Sequence, residues 1–200
     1  MTDAPGSGDA LHDERLDLEV VASEKVFEGR VWDVRSDTVR YGDGEIVRQY
    51  VDHPGAAAIV AIDDEDRVVL IQQYRHPIHL REWEIPAGLL DVAGEPPADS
   101  ARRELTEEVD LVAHRWQPLL TMHTSPGGSS EVLHIFLARD LVASSDAFER
   151  EDEEADIRVE RVPLEQVVTG ILEGRLRNGI LIAGVLAAAE VLRREAAPER

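Results

Sequence analysis

Between Gly88 and Leu111 the chain reads Gly-Leu-Leu-Asp-Val-Ala-Gly-Glu-Pro-Pro-Ala-Asp-Ser-Ala-Arg-Arg-Glu-Leu-Thr-Glu-Glu-Val-Asp-Leu. No other stretch constrains the fold as strongly. A glycine-containing acidic loop runs into a segment of good helix formers, Arg102 to Leu105. Pro96 and Pro97 suit a first helical turn, where a missing N–H costs nothing. Glu95 and Asp99 favour the positive end of the helix dipole.

At one hundred degrees per residue, Ala98, Ala101, Leu105 and Val109 form one apolar stripe. Glu104 and Glu108 are four apart and share a face that borders this stripe. Glu107 adds a third carboxylate. Like charges at this spacing repel by a few tenths of a kcal/mol, so the helix gains nothing from them locally. A divalent cation would relieve the repulsion, and oxygen ligands are what magnesium takes. Arg103 can reach Glu107 one turn on and help fix the carboxylates. The competing reading of a lone Glu-x-x-Glu-Glu is a solvated acidic face.

The fuller order decides between them. Gly88, Glu95, Arg103, Glu104, Glu107 and Glu108, with Leu105 and Leu111 at apolar positions, resemble the Nudix box, G-x5-E-x7-R-E-U-x-E-E-x-G-U with U aliphatic. Two departures stand out. Six residues separate Gly88 from Glu95, and Asp110 replaces the last glycine. The extra residue falls in a loop, where length is tolerated. Asp110 tolerates a left-handed helix cap better than most residues do. Neither departure removes a carboxylate. The run Arg81-Glu82-Trp83-Glu84-Ile85-Pro86-Ala87-Gly88 and the loop Ser125-Pro126-Gly127 ending at Glu131 resemble the ADP-ribose pyrophosphatase branch of that family.

Two hundred residues, 43% of them hydrophobic, suit one domain with a small appendage. Cysteine is absent, which excludes disulfides and thiolate chemistry. No apolar run reaches membrane-spanning length, and the N-terminus lacks a secretory pattern, so the expected compartment is the cytoplasm. The formal charge of −20 and the lack of a basic patch argue against nucleic acid as a partner. Lys25 is the sole lysine, so cationic contacts to a phosphate must come from arginine, which binds it bidentately.

In chain order, residues 1–15 read as a disordered tail. Residues 16–53 read as a small antiparallel sheet: strands at Leu18 to Phe27, Arg30 to Arg40 and Ile46 to Val51, the last two joined by the turn Tyr41 to Glu45. Three such strands are too few to stand alone, so they need a packing partner. Residues 54–200 form the main domain. Ala56 to Ile62 and Arg67 to Tyr74 read as a hairpin across the acidic turn Asp63 to Asp66. Strands follow at Trp116 to His123, Val132 to Ala138 and Asp156 to Val162, with an acidic loop at Phe148 to Ala155. A helix opens at Pro163 and stops near Gly174. Asn178 can cap a last, buried helix to about Glu195. This order gives an α+β layering. The resemblance specifies it as a Nudix fold, an α/β/α sandwich with a mixed sheet, beside the N-terminal antiparallel sheet.

The resemblance also implies chemistry. It makes Glu104, Glu108 and Glu107, with the Ala87 carbonyl, ligands of Mg2+, with Mn2+ as the alternative. Gly88, Glu95 and Arg103 would hold the loop and orient the carboxylates. The base for the attacking water would be Glu154, or Glu153 next to it. Arg48 and Arg75 match arginines that contact ADP-ribose. Trp32, Trp83 and Phe27 could wall an adenine, although aromatic residues in short strands more often serve the core, the first reading for Phe27. Glu82 could bond ribose hydroxyls or pair with Arg81. His53, His76, His79, His123 and His134 do not form a spacing such as His-Glu-x-x-His and read as surface or structural residues. The expected activity is hydrolysis of ADP-ribose to AMP and ribose 5-phosphate by a homodimer whose N-terminal sheets exchange. Another nucleoside diphosphate sugar is the alternative substrate, and a non-catalytic ligand sensor is the alternative class.

Overall fold

The computed structural model describes residues 11–145 and 156–197. The expectations for residues 1–10 and for the whole acidic loop Phe148 to Ala155, Glu153 and Glu154 included, fall outside the described residues. The sequence order resolves into ten strands and three α-helices among those described. Strands β1 (Val20–Phe27), β2 (Asp33–Tyr41) and β3 (Gly44–Asp52) form an antiparallel sheet in sequential order. β1 is exposed along its whole length.

The main domain is built on β4 (Ala56–Ala61), a strand buried at every position. Burial on both faces explains its unbroken apolar run, because a one-faced strand would alternate. Ala57, Ile59 and Ala61 join a cluster with Ala101, Leu105 and Val109. These last three lie on α1 (Pro97–Val109), and they are the predicted apolar stripe. Ala58 and Val60 face the opposite cluster, with Leu181, Val185 and Ala188 of α3 (Gly179–Glu195). Close packing of α3 depends on Gly184, where a Cβ would come within 2.9 Å of the Val60 side chain.

The expected β4–β5 hairpin forms only at its turn. Asp63 accepts the N–H groups of Glu65 and Arg67, and a single bridge joins Ile62 to Val68. Beyond it the strands part. β4 lies in a four-stranded mixed sheet of order β7-β4-β9-β8, parallel to β9 (Val132–Ala143) and antiparallel to β7 (Ala87–Leu89). β5 (Arg67–Arg75) instead pairs with β6 (Leu80–Glu84) and β10 (Arg158–Pro163). A strand covered on both faces sits inside its sheet, so β4 takes β7 and β9 as neighbours, and β5 finds its own.

β8 (Leu111–His123) begins directly after the helix and is longer than Trp116 to His123, and β9 likewise runs on to Ala143. The two pair antiparallel with an irregularity between Pro118 and Leu120, where proline cannot donate to the ladder. α2 (Leu164–Leu172) and α3 fall where expected. The Asn178 side chain accepts the N–H groups of Ile180 and Leu181, which caps α3.

Candidate active site

α1 places its acids as the periodicity implied. It starts with Pro97 at the first helical position and ends at Asp110, which adopts φ 54 and ψ 37 and closes the helix in the left-handed region. The Glu108 side chain lies at the edge of the buried stripe, only 6% of the residue being exposed. Its Oε2 accepts the Ala87 N–H at 2.9 Å, which ties α1 to β7. Glu104 folds against Gly88 so closely that a Cβ on that residue would lie 1.9 Å from the Glu104 carboxyl carbon. Glycine is therefore required at position 88 for the carboxylate to occupy this place.

Arg103 holds the group together. Its guanidinium donates to Glu104 Oε1 at 2.6 Å, to Glu107 Oε2 at 3.1 Å and to Glu95 Oε2 at 3.2 Å. The bond to Glu95 above all, with the charges of Glu104 and Glu107 added, raises the Arg103 pKa against the opposing effect of partial burial. Among the described residues, no three Asp, Glu or His side chains converge closely enough to make a ready cation cage. The guanidinium is instead lodged between two of the carboxylates.

These residues form one wall of an open cleft of about 1320 Å³. Ala87, Gly88, Leu89, Asp91, Arg103, Glu104, Glu107 and Glu108 belong to that lining. Arg30, Arg75 and Arg81, with Gln73, Tyr74 and Asp156, also line it. The cleft thus combines carboxylates with guanidinium groups, which is the complement a metal-neutralised diphosphate requires. Arg75 is fixed by a fork from Glu84, two hydrogen bonds of 2.7 Å each.

Of the expected site residues, Arg75, Ala87, Gly88, Arg103, Glu104, Glu107 and Glu108 meet at this cleft. Glu95 lies behind Arg103. Arg48, Trp32, Glu82 and Trp83 are not among the cleft residues of the single chain. Arg48 is exposed on β3, and its guanidinium donates to the Val47 carbonyl. Trp32 is half exposed and stacks on His53, with ring centroids 6.1 Å apart. Glu82 accepts from Asn178 at 3.4 Å, bracing the cap of α3, and Trp83 packs on the core beneath that helix. Phe27 is exposed, contrary to the expectation of a core role.

Arg30, Tyr74, Arg81 and Asp156 were not singled out from the sequence as cleft residues. For Arg30 the signal was the Glu28-Gly29 break. A Cβ at Gly29 would lie 2.0 Å from the Trp32 carbonyl oxygen, so the β1–β2 connection folds tightly and carries Arg30 to the cleft. Arg81 pairs with Asp156 at 3.3 Å across the mouth, a long-range contact that no local pattern encodes.

The NUDIX domain model matches residues 52–183. The chain belongs to the Nudix hydrolase family. A protein named ADP-ribose pyrophosphatase from Mycobacterium tuberculosis (strain ATCC 25618 / H37Rv) is 45% identical over 86% of this chain and 83% of its own length. A second protein of that name, from Bacillus subtilis (strain 168), is 36% identical over 76% of this chain and 82% of its own length. The crystal structure of an ADP compounds hydrolase superposes with a TM-score of 0.76 at 22% identity, covering 92% of this chain and 99% of that one. That likeness establishes the Nudix fold. The box carboxylates of this Nudix hydrolase stand on α1, and its first glycine stands on β7.

Proposed function

We propose that this Nudix hydrolase cleaves the pyrophosphate bond of ADP-ribose, giving AMP and ribose 5-phosphate. The observation that carries the reading is the joining of Glu104, Glu107 and Glu108 to Arg30, Arg75 and Arg81 in one cleft. The names of the two relatives support ADP-ribose as the substrate.

The donor set fits a hard divalent cation. Every candidate ligand is oxygen: the carboxylates of Glu104, Glu107 and Glu108, with the Ala87 carbonyl. The space at Gly88 is reserved for a carboxylate, which a Cβ would displace. Magnesium, or manganese in its place, would neutralise charge on the phosphate oxygens and lower the pKa of water when bound there. The protein's own part is orientation. The Ala87 N–H fixes Glu108, and Arg103 fixes Glu104 and Glu107. Arg75, held by Glu84, presents its charge to the cleft for a phosphate oxygen. Arg30 and Arg81 widen the cationic surface toward the rest of a diphosphate ligand. Glu154, with Glu153 as the second choice, takes the proton of the attacking water. Asp156, two residues on from Glu154, lines the cleft.

The active form is a cytoplasmic homodimer. Val20, Val26, Phe27, Tyr41 and Val47 are exposed on the N-terminal sheet, an apolar surface that a second copy would cover. Arg48 and Trp32 belong to that unit and would reach substrate through the pairing. Among the described residues no helix is long and apolar enough to cross a membrane.

The test is AMP release from ADP-ribose by purified protein with magnesium, beside ADP-glucose and GDP-mannose. Preference for ADP-ribose, with loss of turnover in Glu108→Gln and Glu154→Gln, is expected. Faster hydrolysis of another nucleoside diphosphate sugar would move the substrate. Ligand binding without turnover would make the chain a sensor.

A further inference from the structure

The turn between β5 and β6 carries a side-chain cluster that the hydrolase reading leaves unused. It reads Tyr74-Arg75-His76-Pro77-Ile78-His79. Residues His76–Ile78 form a single 3-10 turn, with Pro77 inside it and His79 closing it at φ 54, its N–H donating to the His76 carbonyl at 3.2 Å. Positions i and i+3 of such a turn eclipse each other. The two imidazoles accordingly meet edge to face with centroids 5.1 Å apart. Both Nδ1 atoms point at one atom, the Tyr74 hydroxyl oxygen, each from 3.3 Å.

A phenol carries one proton, so it can donate to only one of two imidazole nitrogens. The second contact exists only if the other histidine keeps its proton on Nδ1 and donates to the phenol. Hydrogen bonding therefore ties the two rings to unlike tautomers. The separation suits another use. A tetrahedral site with ligands at about 2.0–2.1 Å has edges of about 3.3 Å, the distance from the phenol oxygen to each Nδ1. Imidazole nitrogen selects zinc, copper or nickel over magnesium. A non-glycine residue at positive φ is uncommon, and here it holds His79 toward its partner.

We propose that Tyr74, His76 and His79 bind a borderline divalent transition ion, zinc the first choice, through Oη and the two Nδ1 atoms, leaving a fourth position open. The site is distinct from the box carboxylates, none of which contributes a ligand. Binding places both imidazole protons on Nε2 and releases the phenol proton to solvent, so affinity rises with pH. Tyr74 also lines the cleft, which puts the ion beside the strand end that carries Arg75.

The experiment titrates Zn2+ into the full chain by calorimetry, with magnesium in large excess to occupy the carboxylates. One site is expected. His76→Ala and His79→Asn each weaken it at least about tenfold, since a lost ligand costs no less than a lost outer partner. Asparagine tolerates the left-handed backbone at position 79, and circular dichroism confirms that both variants fold. Tyr74→Phe weakens binding without abolishing it. Cobalt(II) in place of zinc gives the visible absorption of a tetrahedral ion in the parent chain and loses it in His76→Ala. Zinc uptake of equal affinity in both histidine variants would overturn the proposal, and so would no uptake in the parent.

Discussion

Glu84 grips Arg75 through both carboxylate oxygens while its own side chain is 6% exposed, so the charge that reaches the cleft is anchored from inside the protein. In the β5–β6 register Arg75 lies opposite Leu80 and Glu84 opposite Ile71, so the arginine side chain reaches back along the strand pair to meet the carboxylate. Glu84→Gln keeps the volume and removes one arm of the fork. Arg75 is itself 43% exposed, so the stability loss is about 1–2 kcal/mol, well under that of a fully buried pair. The larger effect falls on substrate. KM for ADP-ribose rises about tenfold while kcat changes less, as expected where ground-state and transition-state binding are lost together. Steady-state kinetics on Glu84→Gln decide this, and an unchanged KM would remove Arg75 from the binding surface.

Gly88 and Glu104 cannot both stay in place once position 88 carries a side chain. The atoms a Cβ would strike are the Glu104 carboxyl carbon at 1.9 Å, its Oε1 at 2.0 Å and Cγ at 2.5 Å, the far end of a flexible chain. Gly88→Ala therefore spares the fold and evicts the carboxylate. Its melting temperature stays close to that of the parent. The rate of AMP release falls about 10²–10³-fold, the scale of losing one preorganised electrostatic group. Glu104→Gln gives a loss of similar size, and the double variant adds little, because both changes remove the same carboxylate. Equal activity in Gly88→Ala would mean that Glu104 works from some other position.

The periodicity of α1 made its buried stripe and its carboxylate face legible, because a helix turns a spacing in sequence into an angle in space. Asn178 was legible for the same local reason. Arg81 and Asp156 were not, since their meeting depends on β10 joining the same sheet as β6 through β5. The β4–β5 turn could be read from Asp63 to Asp66, but the parting of its strands could not. That depends on which element covers β4, and no short window of sequence encodes it. Trp83 shows the same limit: an aromatic residue beside the box suggested a ligand wall, and its packing against the core cluster that includes α3 is a tertiary contact that the local pattern does not encode.

Asp110 ends α1 in the left-handed region, where the Nudix pattern has glycine. An L side chain pays for that backbone in strain, and aspartate pays less than alanine. Replacement by glycine and by alanine separates backbone from side chain. Asp110→Gly should exceed Asp110→Ala in stability by about 1 kcal/mol. Urea denaturation of the two variants measures the gap directly. If alanine matched glycine, the cap would have to have shifted out of positive φ.

Asp63 gives the stability of the domain a pH dependence of known sign. Burial pushes its pKa up, but the Arg67 side chain and the N–H groups of Arg67 and Glu65 together outweigh burial and hold it below the ordinary 3.8. Arg161 of β10 adds a fourth donor at 3.4 Å, so one carboxylate joins the β4–β5 turn to the neighbouring strand. A folded pKa below the unfolded one contributes stability that is complete above the unfolded value and is lost as pH falls through the folded one. Asp63→Asn should therefore cost about 1–2 kcal/mol near neutral pH, where hydrogen bonds to a charge are lost. The gap between parent and variant should then narrow below about pH 3.8, as the parent carboxyl takes up its proton. Urea midpoints measured from pH 7 down to pH 3 test this. A gap that stays constant over the range would show that shape, and not charge, holds the turn.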